Sequence, residues 1–278
     1  MPVDLHLHST ESDGTDSPSE VVRLAADAGL STIALTDHDT LDGIGEAMEA
    51  AAAHGVSLIP GTELSVEWPT GTMHMLVYYL EPAPGPLQDR LLALRSARHD
   101  RNRRILEALS DVGVDISYDE VTTEAGGEVV GRPHIAALLV ARGHSTDIAD
   151  AFDRYLARGR IAYADRLRLG AVEAIELSRA SGAVPVIAHP HTLGVSRDEY
   201  AAAFTSLAKQ GLGGIEAWYA EYDGDVRQHL ADLATQLGLV ATGGSDYHGR
   251  YKPALSVGTG RGDLHVPDRV VDQLLAAR

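Results

Sequence analysis

Cysteine is absent from this 278-residue chain. That absence excludes a disulfide framework, a thiolate zinc site and a cysteine nucleophile. It is compatible with a reducing compartment, and we expect a cytoplasmic protein. Long apolar runs are also missing: no stretch approaches the roughly 20 residues of a membrane-spanning helix, so we expect no membrane partner. The first residues contain no charged leader followed by an apolar run, so we expect no secretory signal.

Basic residues are scarce relative to acidic ones. Lys and Arg number 23 against 40 Asp and Glu, which gives a net charge of -17. Such a chain lacks the broad basic face of a protein that binds duplex DNA, so we exclude duplex DNA as a partner. The acidic excess has two explanations, solubility and metal ligation, because bound cations would offset part of the negative charge. Histidine, a common metal ligand, occurs 13 times.

Short β-branched segments alternate with helical patterns along the chain. This alternation predicts an α/β fold of parallel strands joined by helical crossovers. We count seven strands, one fewer than in a standard eight-stranded barrel. The predicted strands are Pro2–Leu7, Thr32–Thr36, Val56–Ile59, Met73–Leu80, Val184–Ala188, Gly214–Trp218 and Leu239–Thr242. The predicted helices include Ser17–Ala28, Asp42–His54, Val172–Ser181, Arg197–Gln210 and Gly224–Leu237.

One region interrupts the alternation. Glu81–Pro86 is a proline-rich linker, and the chain from Leu87 to about Leu169 is helical and rich in arginine. We therefore predict a barrel domain made of residues 1–86 and 170–278, with a small helical, Arg-rich, substrate-binding domain of residues 87–169 inserted between the fourth and fifth strands.

Histidines and carboxylates follow nearly every predicted strand. Parallel α/β folds carry their chemistry at the carboxyl ends of strands. His6 and His8 lie two residues apart on a strand, so their side chains point to the same face. Imidazole and carboxylate ligands without sulfur suit Zn, Mn, Fe or Co better than Ca or Cu(I). The strand-end residues are His6, His8, Asp13, His38, Glu63, His74, His189, His191, Asp246 and His248.

Taken singly, each of these residues has an ordinary explanation. The His-x-His pair can be two buried histidines, the Asp-Gly pair at 13–14 a turn, and the Asp-His-Asp segment at 37–39 a helix cap. Glu63 could be a lone buried acid, although that is costly without a partner. These ordinary explanations would have to hold independently at six strand ends. The set as a whole therefore favours a metal site.

In this order, the motifs resemble the PHP superfamily, named after polymerase and histidinol phosphatase domains. The matching segments are D-L-H-L-H-S-T-E-S-D-G, A-L-T-D-H-D-T, P-G-T-E, the histidine of the fourth strand, I-A-H-P and G-S-D-Y-H, which together span residues 4–248. The resemblance implies a distorted seven-stranded barrel that binds two to three divalent metal ions, with Mn, Fe or Zn as candidates.

The resemblance also implies three ligand sets. One ion would be held by His6, His8, Glu63 and Asp246, a second by Glu63, His74 and His189, and a third by Asp13, His38 and His248. Many family members have a histidine where this chain has Asp13. The aspartate version is similar to the branch that contains nucleotide 3',5'-bisphosphate phosphatases and enzymes acting on 5'-phosphorylated oligoribonucleotide ends.

The inserted segment resembles the phosphate-binding insertion of that branch. Arginine suits phosphate because its planar fork donates two parallel hydrogen bonds. The residues that would bind substrate phosphate are Arg98, Arg101, Arg132, His134 and Arg160. For Arg95, Arg103 and Arg104 the sequence does not decide between this role and solvated helix surface.

The chain departs from the family pattern in two places. His191 stands where bisphosphatase-like sequences often carry glycine, and its role is open. The family's His-Ser pair after the sixth strand is not evident in G-I-E-A-W-Y-A-E-Y-D. Substrate contacts on that side of the barrel are therefore left undetermined.

We thus expect a phosphoesterase that hydrolyses phosphate monoester or diester bonds of a nucleotide or a short RNA 5' end. A hydroxide bridging two ions would attack phosphorus. The predicted catalytic residues are Glu63, Asp246, His248 and His191, and the sequence does not choose between His248, His191 and a water as the general acid. Two alternatives remain, a histidinol-phosphate phosphatase and a non-catalytic module of a larger assembly, although the complete ligand set argues against the second. The sequence does not determine the oligomeric state.

Overall fold

A computed structural model describes residues 2–126 and 130–278 of the chain, and its centre is a nearly closed barrel of seven strands. The strands are β1 (Val3–Leu7), β2 (Thr32–Leu35), β3 (Ser57–Glu67), β4 (Met73–Tyr78), β5 (Leu169–Gly170), β6 (Val184–Ile187), β7 (Gly214–Tyr219) and β8 (Val240–Gly244). The two-residue β5 pairs with β3 outside the path of the other seven. The helices are α1 (Pro18–Asp27), α2 (Ile44–His54), α3 (Pro86–Ser110), α4 (Tyr118–Ala125), α5 (Arg132–Ala141), α6 (Ile148–Ala151), α7 (Ala171–Ala180), α8 (Arg197–Ala208), α9 (Gly224–Gln236) and α10 (Arg269–Ala276).

The helices begin and end where local sequence signals place them. Ser17 caps α1, and its side chain accepts a hydrogen bond from the Glu20 amide at 3.2 Å. α2 ends at Gly55, whose φ of +71° is the left-handed conformation that favours glycine. Every residue of β1 and β2 is buried, as expected for strands covered on both faces. The predicted distorted seven-stranded barrel is confirmed.

The expectation of parallel strands throughout was wrong for β4. This strand runs antiparallel to both β3 and β6, because only a short turn follows β3 and no helix brings the chain back. β3 is also longer than predicted and continues through Pro60 and Gly61. A Cβ on Gly61 would lie 2.8 Å from the Val77 carbonyl oxygen of β4. Glycine is therefore required here because β4 packs too closely for a side chain, and not because the chain turns. The reversal places the start of β4 at the mouth of the barrel.

Helices α3 to α6 lie between β4 and β5. Residues between 105 and 164 form a hydrophobic cluster of their own, whereas Leu87, Leu91 and Leu94 at the start of α3 pack into the cluster of the barrel. The division at residues 87 and 169 stays a prediction, and residues 127–129 of the insertion lie outside the described residues. Within the described ranges, none of the helices has the length and apolar character needed to cross a membrane.

Ion pairs hold the insertion over the barrel mouth from two sides. On one side, the buried Asp39 carboxylate accepts hydrogen bonds from Arg98 at 2.6 Å and Arg166 at 2.7 Å. On the other side, Arg250 donates to Glu124 of α4 at 2.6 Å. The insertion therefore forms one wall of the space above the strand ends.

Candidate metal centre

Three predicted ligands meet where the barrel closes. The Asp246 amide donates to the His6 carbonyl at 2.9 Å, which pairs the segment after β8 with β1. This pairing places Asp246 Oδ1 3.6 Å from His6 Nε2 and 3.4 Å from His8 Nε2. Asp246 adopts a φ of +53°, a strained conformation for a residue other than glycine.

Glu63 lies at the centre of the group and is 1% exposed. Its Oε2 atom is 3.2 Å from Nε2 of His6 and 3.2 Å from Nε2 of His8. Its Oε1 atom is 2.9 Å from His74 Nδ1 and 3.0 Å from His189 Nε2. The two oxygens thus face two different histidine pairs, which is the arrangement that a bridging carboxylate requires.

The direction of β4 brings His74 into this group. His74 is the second residue of β4, so a parallel strand would have carried it to the opposite end of the barrel. In the antiparallel arrangement the Ala188 amide donates to the His74 carbonyl at 3.0 Å, which places His74 beside His189. His189 itself has a φ of +25°, another strained conformation at this site.

A third group forms around Asp13. Its Oδ1 atom lies 3.3 Å from His248 Nε2, and its Oδ2 atom lies 3.8 Å from His38 Nε2. His38 is positioned by pairing beyond the end of β2, where the Asp39 amide donates to the Glu63 carbonyl at 3.1 Å. The His8 ring stacks on the His248 ring at 4.0 Å and links this group to the first.

The donor atoms fit divalent cations. His6 Nε2 and His8 Nε2 lie only 3.1 Å apart and face the same carboxylate oxygen. The buried Asp13 Oδ1 accepts no well-aligned hydrogen bond within the described residues, although His248 Nε2 is close. All donors are nitrogen or oxygen, which suits divalent ions of the zinc and manganese type. Four sets have donor atoms within 4.8 Å of one another: His8, Asp13, His38 and His248; His6, Glu63 and His189; His6, His8 and Asp246; and His38, Glu63 and His74.

The protonation states support ligation by several of these side chains. Burial lowers the pKa of His38 to about 3 and also lowers the pKa values of His74 and His248, so these imidazoles are neutral and keep a free lone pair. Burial alone would raise the pKa of Glu63, but its interactions with the histidines around it hold the pKa well below its usual range. The carboxylate at the centre is therefore ionised.

Sequence reasoning missed Glu216, a fully buried residue of β7. Its Oε1 atom accepts a hydrogen bond from His6 Nδ1 at 2.9 Å, and its Oε2 atom accepts one from the His189 amide at 2.7 Å. When His6 acts as a ligand through Nε2, this contact lets its Nδ1–H donate to Glu216 and directs the Nε2 lone pair at the cluster. A glutamate within the apolar strand G-I-E-A-W-Y was the available signal, since a buried carboxylate requires partners.

Two further residues outside the predicted set contact Asp246. The Tyr219 hydroxyl donates to Asp246 Oδ2 at 2.8 Å, and the Lys252 ammonium donates to the same oxygen. These contacts occupy Oδ2 and leave Oδ1 facing His6 and His8. Tyr219 and Lys252 thus fix the orientation of a predicted ligand.

The residues on either side of His38 have structural roles. Asp37 accepts hydrogen bonds from the Ser9 amide at 2.7 Å and from the hydroxyls of Ser9 and Ser12, both at 2.6 Å. It therefore holds the loop after β1, whereas Asp39 binds the two arginines of the insertion.

A cavity of about 380 Å³, here called the arginine cavity, opens between the insertion and the cluster. Asp13, His38 and His74 line it on the cluster side. The arginines that line it are Arg98, Arg101, Arg132, Arg158, Arg166 and Arg168, of which the last three were not among the predicted site residues. Arg160 is exposed and does not line the cavity. Arg95, Arg103 and Arg104 do not line it either, and Arg95 pairs with Asp42.

Arg101 is the most unusual residue of the arginine cavity. It is 5% exposed, yet within residues 2–126 and 130–278 it makes no hydrogen bond or ion pair. Burial is the main reason why the pKa of Arg101 lies well below the usual range, and the nearby positive charge of Arg98 lowers it further. Asp39 already neutralises part of the charge of Arg98 and Arg166, whereas Arg101 has no carboxylate partner within the described residues.

His134 and His191 lie beside the cluster rather than in it. His134 is fully buried, and its Nδ1 atom accepts a hydrogen bond from the Gly131 amide at 3.0 Å. Its Nε2 atom has no partner among the described residues. His191 bonds through Nδ1 to the Tyr222 hydroxyl at 3.0 Å, and its ring lies 5.9 Å from the ring of His189.

Comparison with known proteins identifies the family. Residues 4–158 match the model of the PHP domain. The chain belongs to the PHP family. It is 34% identical over 245 residues to a 5'-3' exoribonuclease of Haemophilus influenzae, covering 88% of this chain and 89% of the relative. It is 32% identical over 247 residues to a 3',5'-nucleoside bisphosphate phosphatase of Chromobacterium violaceum, covering 88% and 87% of the two chains.

A solved structure agrees over the whole length of this PHP protein. The crystal structure comes from Bifidobacterium adolescentis, and that protein's assignment as a metal-dependent phosphoesterase is itself a prediction. The TM-score is 0.88 at 31% identity, with 100% of this chain and 98% of the other chain covered. The family resemblance predicted from the sequence is thus confirmed.

Proposed function

We propose that this PHP protein is a metal-dependent phosphoesterase acting on nucleotides, either 3',5'-bisphosphate nucleotides or the 5'-phosphorylated ends of short oligoribonucleotides. The observation that carries the proposal is the direct contact between the arginine cavity and the cluster, since Asp13, His38 and His74 belong to both. A terminal phosphate bound by Arg101 leaves the next phosphoester of the same nucleotide beside the cluster.

Two to three divalent ions, with Mn, Fe or Zn as candidates, are part of the proposal. His6, His8, Glu63 and Asp246 would hold one ion, Glu63, His74 and His189 a second, and Asp13, His38 and His248 a third. When bound, ions of this kind activate a water nucleophile and neutralise charge on the phosphoryl oxygens. Glu216 supports this chemistry by keeping the lone pair of His6 Nε2 directed at the cluster.

The remaining steps fall to side chains of the chain itself. The arginine cavity binds the phosphate that is not hydrolysed and so fixes the position of the one that is. A proton must reach the leaving oxygen, and His248 and His191 are the candidate donors beside water. They lie on different sides of the cluster, His248 against Asp13 and His191 against His189.

The names of the two relatives support a nucleotide substrate. Histidinol phosphate, the alternative substrate, has one phosphate and carries a cation. Binding would bring this positive charge toward an arginine-lined cavity, and the repulsion between like charges disfavours histidinol phosphate as the substrate. The negative net charge of the chain supports a small phosphorylated ligand over duplex DNA. A cytoplasmic location completes the proposal.

A direct comparison of substrates tests the function. We expect kcat/KM of the metal-supplemented enzyme to be highest for 3',5'-bisphosphorylated adenosine or a 5'-phosphorylated trinucleotide, and low for histidinol phosphate. Glu63→Ala and His189→Ala should remain folded, lose bound metal and lose activity. A clear preference for histidinol phosphate would overturn the substrate assignment, and normal turnover by the metal-depleted variants would overturn the mechanism. No turnover of any nucleotide by the wild-type enzyme would favour the non-catalytic module.

A further inference from the structure

A second cavity lies on the other side of the cluster, and the proposed function assigns a role to His191 alone among its lining residues. It has a volume of about 370 Å³ and lies between the segments that follow β6 and β7. We call it the His191 groove. The side chains that define it are His191, Arg197, Tyr200, Tyr222, His229 and Arg261.

The groove begins at the cluster. The His191 ring lies 5.9 Å from the ring of His189 and 5.8 Å from the ring of Tyr219. The Tyr219 hydroxyl in turn donates to Asp246. The arginine cavity reaches the cluster at different residues, on the side of His38 and His74. The predicted metal ligands therefore separate two cavities of nearly equal volume.

The groove has the chemistry of a nucleotide site. Arg197 and His229 are exposed and form no hydrogen bond or ion pair within the described ranges, so both can bind a ligand. Arg261 pairs with Glu221 at 2.9 Å, which leaves one unpaired arginine charge in the groove of a chain with net charge -17. Tyr222 adds an aromatic ring. Aromatic rings next to cationic donors suit bases and the ribose-phosphate chain of single-stranded nucleic acid.

The volumes indicate how much ligand each cavity holds. Small-molecule sites begin at roughly 300 Å³. Each cavity, at about 380 Å³ and about 370 Å³, is thus of a size for one nucleotide unit. A 3',5'-bisphosphate nucleotide would occupy the arginine cavity and the cluster but leave the groove unused. A 5'-phosphorylated dinucleotide would occupy both cavities, with its internal phosphodiester at the cluster.

We propose that the His191 groove binds the nucleotide on the 3' side of the phosphodiester that is hydrolysed. This inference rests on the proposed function and narrows it to 5'-phosphorylated oligonucleotides as the preferred substrate. Water supplies the oxygen that attacks phosphorus, and the bond from phosphorus to O3' of the first nucleotide breaks. The electron pair leaves on O3', which takes a proton. The products are a nucleoside 5'-monophosphate and a shortened chain with a new 5'-phosphate.

Substrate length and groove variants test the proposal together. The substrates are 3',5'-bisphosphorylated adenosine and 5'-phosphorylated di- and triadenylate, assayed with the metal-loaded enzyme. We expect kcat/KM to rise at least tenfold from the bisphosphate to the dinucleotide, and to change little from the dinucleotide to the trinucleotide, because the groove holds one unit. In the double variant Arg197→Ala/His229→Ala, the ratio of kcat/KM for the dinucleotide to that for the bisphosphate should fall about tenfold.

The matched control is Arg269→Ala/His265→Ala, which removes an exposed arginine and an exposed histidine outside both cavities. It should leave the substrate ratio unchanged, and the thermal midpoints of both double variants should match that of the wild type. The inference is overturned if the wild-type enzyme does not prefer the dinucleotide, or if the groove variant changes both substrates equally. In either case, continued hydrolysis of the bisphosphate or of the oligonucleotides would leave the proposed function intact. If none of these substrates were hydrolysed, the proposed function would be refuted separately.

Discussion

Replacing Glu216 by glutamine separates the charge of this buried residue from its shape. Glu216 uses one oxygen for His6 Nδ1 and the other for the His189 amide, at 2.9 and 2.7 Å. Glutamine has only one acceptor oxygen. If that oxygen accepts from His189, the amide NH₂ group faces His6 Nδ1 and forces the proton of the imidazole onto Nε2. The lone pair that faces the cluster is then lost. In the opposite orientation, the His189 amide has no acceptor.

The expected size of the effect follows from either orientation. Loss of a carboxylate that orients a metal-binding histidine typically lowers metal affinity about 10- to 100-fold, which corresponds to about 1.4–2.7 kcal/mol. His6 lies in two of the groups of converging donor atoms, so we expect a value toward the upper end of this range. The fold should persist, because glutamine has nearly the same volume and keeps one of the two hydrogen bonds.

The assay is a chelator competition that measures metal affinity, together with elemental analysis of the purified protein. Glu173→Gln, which alters an exposed glutamate paired with Arg90, is the matched control and should retain wild-type affinity. Glu63→Gln should lose more metal than Glu216→Gln, because Glu63 contacts both histidine pairs. A Glu216→Gln protein with unchanged folding and metal affinity within twofold of the wild type would refute the reasoning.

Three other substitutions test the arginine cavity and the insertion. Arg101→Met removes a buried, unpaired charge, so it should raise the thermal midpoint of the ligand-free protein. The same substitution should raise KM for 5'-phosphorylated nucleotides at least about tenfold, because the charge that binds phosphate is lost. An unchanged KM in steady-state kinetics would contradict this role. Burial lowers the pKa of His134 from 6.5 to about 4, so the folded state favours the neutral ring. The free energy of unfolding should therefore decrease by about 3 kcal/mol as the pH falls from above 6.5 toward 4. His134→Asn should remove this component from urea unfolding curves at pH 7 and pH 4.5, and an identical pH dependence in the two proteins would argue against it. Asp39→Asn leaves the buried side chains of Arg98 and Arg166 without their carboxylate, so the free energy of unfolding in urea should decrease by about 3–5 kcal/mol. A decrease below about 1 kcal/mol would show that these ion pairs are dispensable for stability.

At β3 and β4, local sequence signals predict neither the end of one strand nor the direction of the next. Pro60 and Gly61 look like the end of a strand, but the strand continues through them because β4 lies close to Gly61. His74 was correctly singled out as a strand histidine, although the assumed strand direction would have placed it at the wrong end of the barrel. Chain direction depends on which strand pairs with which, and this pairing is not encoded in the local pattern.

Arg160 and Arg166 show the same limit within the insertion. Both belong to the arginine-rich segment, yet Arg166 lines the arginine cavity and binds Asp39, whereas Arg160 is exposed. A run of arginines predicts that an anion site exists. It does not predict which side chains face it, because the segment after α6 forms no long regular helix whose face could be counted.

The sequence by itself determined the family, the barrel and the nine side chains that converge at its mouth. It could do so because those residues follow strands in a fixed order and because His-x-His spacing on a strand dictates a common face. Only the tertiary structure decided the direction of β4, the role of Glu216, the isolation of Arg101 and the position of the His191 groove. These features depend on contacts between segments far apart in the chain, such as His6 with Glu216, and the distances that define such contacts are set by packing rather than by local sequence.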